Sequence, residues 1–238
     1  MTIPNCVILI QARMSSARLP GKVLAPMHGR PMLAWLVESL SRCGLPLALA
    51  TSIEPSDDPL ASFCAESSLP CIRGPLDDVA ARFALAVEQL GCDAFVRISA
   101  DSPLLDPRLV DRAVALFRET KPDLVTNVFP RSYPKGQSVE VLSAMAFGRA
   151  CGLMSTHSHR EHITSLFYER SDEFRLENFS SGEDWGKLQT SVDTPEDFAL
   201  AERLLAGLDR PHWEYGWRDL ALRMWALRHA TEGKKAAC

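Results

Sequence analysis

The feature that most constrains the fold of this chain is an alternation of short apolar runs with longer amphipathic segments. The apolar runs are too short for helices, which is typical of strands buried on both faces of a sheet. They occupy residues 6–10, 45–50, 94–98 and 124–126. Helical periodicity fills residues 31–40, 78–90 and 107–121. This β-α-β-α order predicts an α/β fold with a mainly parallel, mixed sheet between two helical layers, the three-layer αβα arrangement of Rossmann-like proteins.

The second half of the chain is less regular. Thr194-Pro195-Glu196-Asp197 combines an N-cap residue, a proline at the first helical position and acids in the first turn, so it predicts the start of a helix running to residue 208. The remaining patterns predict strands at 138–142, 174–179 and 188–192 and helices at 157–168 and 213–229.

Composition narrows the class of protein. With 26 basic and 30 acidic residues, the formal net charge of −4 gives no general attraction for nucleic acid. No apolar stretch approaches the roughly 20 residues that cross a bilayer, and the first residues lack a basic segment leading into an apolar one, so we expect a cytoplasmic protein that binds neither membrane nor nucleic acid. The seven cysteines form no C-x-x-C pair and are expected to be reduced.

A cationic loop, "IQARMSSARLPGK" at residues 10–22, follows the first predicted strand and carries Arg13, Arg18 and Lys22. The carboxyl ends of parallel strands are where α/β folds bind ligands, and phosphates are frequent among them. Neither a Walker A motif nor a G-x-G-x-x-G fingerprint is present, which weighs against ordinary ATPases and dehydrogenases. The alternative is a solvated basic turn with no ligand.

Two carboxylates also follow predicted strands. Asp101 comes after the strand at 94–98, and Asp193 comes after the strand at 188–192. Together with phosphate oxygens and water they would suit Mg²⁺, which prefers oxygen ligands. For either aspartate alone, capping the next turn or helix is the ordinary role.

Five ordered blocks resemble one family. They are "IQARMSSARLPGKVLAPMHGRPML", "RGPLDDVAARF", "RISADSPLLDP", "REHIT" and "VDTPEDF". The resemblance covers about residues 6–205. In this order they are similar to the cytidylyltransferases related to CMP-sugar-acid synthetases, and most of all to the spore coat polysaccharide biosynthesis protein F branch. The resemblance implies a nucleotide-diphospho-sugar transferase-like fold. It also implies Mg²⁺-dependent transfer of CMP from CTP to a small-molecule acceptor, a sugar acid or related metabolite, for surface polysaccharide or glycan synthesis by a homodimer.

The resemblance also implies roles for individual residues. Arg13, Arg18 and Lys22 would bind the triphosphate, and Asp101 and Asp193 would hold the metal. Arg13, Lys22, Asp101 and Asp193 form the expected catalytic set. The other expected contacts are backbone groups of Gln11 and Ala12 with the base, Arg73 and Asp78 with the nucleoside, and Glu140, Arg160 and His162 with the acceptor. For Arg73, a salt bridge within the sheet is the alternative.

Residues 1–232 are expected to form one nucleotidyltransferase domain. Within it, residues 130–180 would serve the acceptor or the dimer contact, and residues 209–232 would form a helical appendage. Residues 233–238 are expected to be a flexible tail.

The sequence departs from the family pattern at Gln137 and Ser138, where relatives commonly carry Leu-Asp, so a carboxylate is lost near the expected acceptor site. Two alternatives therefore stay open. One is a glycosyltransferase or another sugar-nucleotide nucleotidyltransferase on the same fold. The other is a catalytically impaired nucleotide-binding homologue.

A metal cluster could be suggested by three histidines that lie near Glu161 in the sequence, namely His157, His159 and His162. No cysteine or carboxylate motif completes a tetrahedral zinc site, so we do not expect one. A Ser-His-Asp hydrolase is also disfavoured, because no G-x-S-x-G sequence is present to hold a strained nucleophile.

Overall fold

A computed structural model describes residues 5–235 and contains a seven-stranded mixed sheet. The strand order is β5-β4-β1-β6-β8-β7-β9, and β8 is antiparallel to both of its neighbours. The other pairs in this sheet are parallel. The strands are β1 (Cys6–Gln11), β2 (Pro26–Met27), β3 (Arg30–Pro31), β4 (Leu47–Ser52), β5 (Cys71–Gly74), β6 (Ala94–Ser99), β7 (Leu124–Thr126), β8 (Glu140–Ser143) and β9 (Leu176–Asn178), with β2 and β3 forming a separate small hairpin.

Helices cover both faces of the sheet. They are α1 (Met32–Leu40), α2 (Asp58–Glu66), α3 (Val79–Leu90), α4 (Pro107–Thr120), α5 (Ala144–Leu153), α6 (His157–Glu161), α7 (Ser165–Glu169), α8 (Pro195–Ala206) and α9 (Trp217–Lys235). Successive residues of β1 point to opposite faces, so Ile8 and Ile10 pack in one core with α1, α4, α8 and α9. Val7 and Leu9 pack in the other core, with α3, α5 and α7. The predicted three-layer αβα fold is confirmed.

Three predicted elements are wrong in detail. Residues 188–192 form no strand, because the Lys135 carbonyl accepts from both Thr190 N–H (2.7 Å) and Ser191 N–H (3.2 Å), which leaves one isolated bridge between Lys135 and Gln189. Residues 157–168 are two short helices, since the backbone of His162 leaves the helical region. The last helix begins at Trp217, after a 3-10 turn at His212–Glu214.

The chain's end differs from the expected tail in part. Helix α9 continues to Lys235, and residues 236–238 lie outside the described residues. Within residues 5–235, no helix combines the length and apolar character needed to cross a membrane.

Candidate active site

The cationic loop after β1 is fixed by hydrogen bonds rather than left as a solvated turn. The Met14 N–H donates to the buried Asp57 carboxylate at 2.7 Å, and the Gly21 N–H donates to the Met14 carbonyl at 2.8 Å. Gly21 has a φ of +74°, a conformation that a glycine adopts without strain. The loop is therefore held in one shape at the carboxyl end of β1.

Lys22, at the end of this loop, is the best-buried of its cations, with 7% of its surface exposed. Its Nζ donates to the Val192 carbonyl at 2.6 Å and to Asp193 Oδ1 at 3.2 Å, and it lies 3.8 Å from Asp101 Oδ2. One ammonium therefore lies between the two carboxylates that were predicted to form a metal site. The predicted loop and the predicted acids do come together.

Neither carboxylate is used as a helix cap. Thr194 caps α8, and the Asp197 side chain completes the capping box by accepting from the Asp193 and Thr194 N–H groups. Helix α4 is capped by Asp106. The Val192 N–H donates to the Asp101 carbonyl at 2.8 Å, which ties the two segments together. Both carboxylates instead face the cleft, where Lys22 lies between them.

The loop borders a cleft of about 410 Å³, which is also lined by Gln11, Ala12 and His162. Each cation of the loop faces an acid across it. Arg13 pairs with Glu161 at 3.1 Å and Arg18 with Asp193 at 3.1 Å, just as Lys22 pairs with Asp193. The positive charges of the cleft are thus balanced by carboxylates of the protein. An anionic ligand could replace these carboxylates as the partner of each cation, and a bound metal cation could then pair with the carboxylates.

The backbone groups of Gln11 and Ala12 that were predicted to reach the base are partly engaged in the sheet. The Ala12 N–H donates to the Ala50 carbonyl at 3.2 Å, and the Gln11 carbonyl accepts from the Ala100 N–H at 2.9 Å.

A smaller pocket of about 190 Å³ adjoins the cleft and shares Arg97, Ser99 and Asp101 with it. Glu140 lines this pocket, but it is buried and its two oxygens accept from Arg97 at 2.6 Å and from the Tyr168 hydroxyl at 2.5 Å. Burial, reinforced by the Glu140 charge, raises the pKa of Tyr168, so Tyr168 stays a hydrogen-bond donor. Glu140 therefore orients Arg97 and has no carboxylate oxygen left over as a free contact for an acceptor.

Arg97 is a site residue that sequence reasoning missed. Its Nη1 bonds Glu140 and its Nη2 donates to Gln11 Oε1 at 3.3 Å, which places it where the two pockets meet. A charged residue inside the apolar strand that precedes Asp101 was the available signal.

Three of the predicted contacts lie away from the cleft. Arg73 is on β5, the edge strand, where it pairs with Asp58 at 2.8 Å and donates to the Ser52 carbonyl at 2.8 Å. Asp78 caps α3 and pairs with Arg160 at 3.4 Å in a separate surface hollow. Arg73 is held away from the cationic loop because β4 separates β5 from β1, and Asp78 and Arg160 line the separate hollow instead of the cleft.

The three histidines do not converge. His159 bonds Glu169 at 2.8 Å, His157 lies at the separate hollow, and His162 faces the cleft. Among residues 5–235, no group of three or more His, Cys, Asp or Glu side chains is arranged to hold a metal ion.

The departure at Gln137 and Ser138 has a structural explanation. The buried Gln137 amide accepts from the Asp106 N–H at 3.0 Å and donates to the Leu104 carbonyl at 2.8 Å, so it joins the turn before β8 to the segment that leads into α4. Ser138 lines the smaller pocket. The substitution therefore supports the wall of the pocket and leaves Asp101 and Asp193 intact.

Comparisons with known proteins agree with this architecture. The profile of the family described as cytidylyltransferase matches residues 7–179. The spore coat polysaccharide biosynthesis protein SpsF of Bacillus subtilis is 27% identical, over 84% of this chain and 86% of that protein. A 3-deoxy-manno-octulosonate cytidylyltransferase of Chlorobium limicola is 28% identical, over 84% and 97%.

The solved structure of a cytidylyltransferase from Leptospira borgpetersenii superposes with a TM-score of 0.86 at 25% identity, covering 91% of this chain and 92% of that one. The chain belongs to the cytidylyltransferase family and is a CTP-dependent nucleotidyltransferase.

Proposed function

We propose that this protein transfers CMP from CTP to a hydroxyl group of a sugar acid or a related anionic metabolite, with release of pyrophosphate. The observation that carries the proposal is the position of Lys22 Nζ between Asp101 and Asp193, at the end of a fixed cationic loop. The names of the two relatives support an acceptor of the sugar-acid class and a place in surface polysaccharide synthesis.

Arg13, Arg18 and Lys22 would bind the triphosphate. Each of these side chains exchanges a carboxylate partner for phosphate oxygens, so the ligand takes over interactions that already exist in the cleft. Arginine suits phosphate because its planar fork donates two parallel hydrogen bonds. Gln11 and His162 would then lie beside the rest of the nucleotide or the acceptor.

The donor set fits Mg²⁺. Asp101 and Asp193 supply oxygen ligands only, and with two carboxylates the remaining positions would go to phosphate oxygens and water, as magnesium prefers. When bound, the ion would offset negative charge on the phosphate oxygens. The two aspartates are the residues that would hold it.

The reaction is an in-line displacement at the α-phosphorus of CTP. The acceptor oxygen forms the new P–O bond while the bond to the β-phosphate breaks, pyrophosphate leaves with that electron pair, and the acceptor hydroxyl gives up its proton to water. Arg13 and Lys22 would stabilise the charge that builds up on the phosphoryl oxygens. Positioning of the two substrates in adjoining pockets supplies the remaining rate enhancement.

The test is pyrophosphate release from CTP, ATP, GTP and UTP with a panel of sugar acids. We expect turnover with CTP, and at least a hundredfold loss in Asp101→Asn and Asp193→Asn, because each removes an anionic ligand of the proposed Mg²⁺ and with it the charge stabilisation that the ion gives to the reacting phosphates. Asp172→Asn, at an exposed site, is the control and keeps full activity. Turnover within tenfold of the parent in both cleft variants would contradict the proposal.

The family resemblance also leads us to propose a homodimer. Light scattering at several protein concentrations tests this independently of activity, and a monomer at all of them would refute it.

A further inference from the structure

The smaller pocket is placed to hold the group that receives CMP. It is lined by Arg97, Ser99 and Asp101, which also border the larger cleft, and by residues of the turn at 135–138. A molecule bound there lies against Asp101, one of the two carboxylates at the proposed reaction centre. An acceptor bound in this pocket would be selected by the chemistry of its lining.

The small pocket is lined by two cations, Arg97 and Lys135, and by two acids, Asp101 and Glu140. Asp101 faces Lys22 of the larger cleft at 3.8 Å. Arg97 also lines the pocket, but its charge is balanced by the buried Glu140. Arg13, Arg18 and Lys22 are each paired with an acid in the larger cleft. In the described part of the chain, Lys135 is the cation of these pockets whose ammonium forms no ion pair. An unbalanced positive charge in a polar pocket favours an anionic ligand.

The backbone holds Lys135 in place even though its side chain is exposed. The Lys135 N–H donates to the Leu188 carbonyl at 2.9 Å, and its carbonyl accepts from Thr190 and Ser191. The next residue, Gly136, has a φ of +94°, and a Cβ there would overlap the backbone of Thr190 and Ser191. Only glycine allows this close contact, so the turn carries Lys135 at a fixed position beside the segment that leads to Asp193.

The rest of the lining consists largely of hydroxyl groups. Four serines face the pocket: Ser99, Ser102, Ser138 and Ser191. A serine hydroxyl both donates and accepts, so this lining suits a polyhydroxylated molecule better than an apolar one.

We propose that Lys135 determines acceptor specificity by binding the anionic group of a polyhydroxylated acceptor, a carboxylate or a phosphate, in the pocket beside Asp101. This inference rests on the proposed function in that it takes the occupant of the pocket to be the acceptor. Lys135 acts on binding of the acceptor and leaves binding of CTP unchanged.

Calorimetry on the full chain loaded with a non-hydrolysable CTP analogue tests this. The probes are 3-deoxy-manno-octulosonate for the sugar acids, glucose 1-phosphate for the sugar phosphates and glucose as a neutral sugar. We expect one anionic probe to bind at least tenfold more tightly than glucose. Lys135→Met should lose at least tenfold of that affinity, and Lys135→Gln should repeat the loss if the first variant folds poorly. Lys135→Arg should stay within about threefold of the parent.

Lys187→Met is the matched control, because it removes another exposed lysine from the same region outside the small pocket. All variants should bind the CTP analogue within twofold of the parent, which a general structural defect would not allow. The inference is overturned if neither anionic probe binds, if glucose binds equally well, or if the neutral Lys135 variants bind the anion as the parent does.

Pyrophosphate release, measured in parallel, separates the two proposals. Lys135-dependent binding without turnover refutes CMP transfer to that acceptor class and leaves the binding site standing. Turnover with an unchanged KM for the acceptor in Lys135→Met refutes the role of Lys135 alone.

Discussion

Burial separates the three cations of the loop into different physical roles. Lys22 is almost fully buried and has three oxygen partners, whereas the Arg18 and Arg13 side chains are 65% and 40% exposed. An exposed ion pair contributes little to folding because water and salt screen it. A buried ammonium bonded to a carbonyl and carboxylates contributes both to the fold and to the site.

Replacing Lys22 should therefore affect stability as well as nucleotide binding. We expect Lys22→Met to lower the free energy of unfolding by about 1–3 kcal/mol, since Asp193 and the Val192 carbonyl lose a charged donor. Arg18→Met should cost less than about 1 kcal/mol. Both should weaken CTP binding. Urea unfolding curves with and without CTP measure both effects, and equal destabilisation by the two variants would contradict the assignment.

Asp57 is a residue that shapes the loop without reaching its ligand. Its buried carboxylate accepts from the Met14 N–H at 2.7 Å, and from the backbone N–H and hydroxyl of Ser52. It thus joins the end of β4 to the cationic loop. Neither sequence pattern nor family resemblance pointed to this residue, because the link spans 43 positions.

Asp57→Asn should lower the free energy of unfolding by about 1–3 kcal/mol, because an amide nitrogen would face a buried N–H or O–H donor. CTP binding should weaken as the Met14 turn shifts. The neighbouring Asp58→Asn removes only an exposed ion pair with Arg73 and is the control, with an expected cost below about 1 kcal/mol. Unfolding and CTP titrations of the two variants give the comparison, and similar losses in both would argue against a role for Asp57 in shaping the loop.

At the scale of elements, the sequence predicts best where burial is uniform. Two of the predicted strands, 6–10 and 94–98, are wholly apolar apart from Arg97, and the structure has strands there. Strand β5 has alternating burial over four residues, and α5 contains Gly148 and Gly152, which weaken a helical pattern. Neither was predicted.

The residues of the site were likewise predictable only where they adjoin clearly predicted elements. Arg13, Lys22, Asp101 and Asp193 could be predicted because they adjoin clear elements, and Asp193 lies at the cleft even though the strand predicted before it is absent. Lys135 was missed because its position depends on a turn held by long-range backbone hydrogen bonds. Such contacts leave no periodic pattern in the sequence.

The 3-10 turn before α9 docks the end of the chain onto α1 through a buried histidine. His212 Nε2 lies 2.9 Å from the Trp35 carbonyl and 2.8 Å from Ser39 Oγ. Its Nδ1 is buried and has no hydrogen-bond partner among the described residues. Burial lowers the pKa of His212 below its ordinary value of 6.5, because a second ring proton would be left without a partner.

Acid should therefore weaken this contact. Near pH 6.5 the unfolded chain binds a proton at His212 while the folded chain does not. The stability that this group contributes is therefore present above pH 6.5 and is lost as the pH falls below it. The loss is at most about 1.4 kcal/mol per pH unit. In unfolding curves from pH 7.5 to 5.5, His212→Asn should be less pH-dependent than the parent. His157→Asn, at an exposed site, should follow the parent, and parallel curves for the parent and His212→Asn would contradict the linkage.

Across the whole molecule, α9 is connected to the site although it lies outside the family match at residues 7–179. The Trp217 N–H donates to the buried Asp106 carboxylate at 2.9 Å, and the Asp106 N–H in turn donates to Gln137, which lies between the pocket-lining residues Gly136 and Ser138. Arg228 donates to Asp197 at 2.8 Å, and Asp197 holds the Asp193 backbone. Two hydrogen-bond chains thus lead from the last helix to the two pockets.

The series of hydrogen bonds that runs from Arg228 through Asp197 to Asp193 gives a prediction about the whole fold. Arg228→Met removes a cation from Asp197, whose side chain is 6% exposed, and should lower the free energy of unfolding by about 1–3 kcal/mol. Because Asp197 holds Asp193 in position, the same variant should weaken CTP binding in the presence of Mg²⁺. Arg218→Met lies on the same helix and removes an exposed pair with Glu183 and a contact with the Trp185 ring, so it should change neither quantity by more than about 1 kcal/mol. Calorimetry measures CTP binding by both variants, and unfolding curves measure their stability. If Arg228→Met lost stability but bound CTP like the parent, α9 would support the fold without supporting the site.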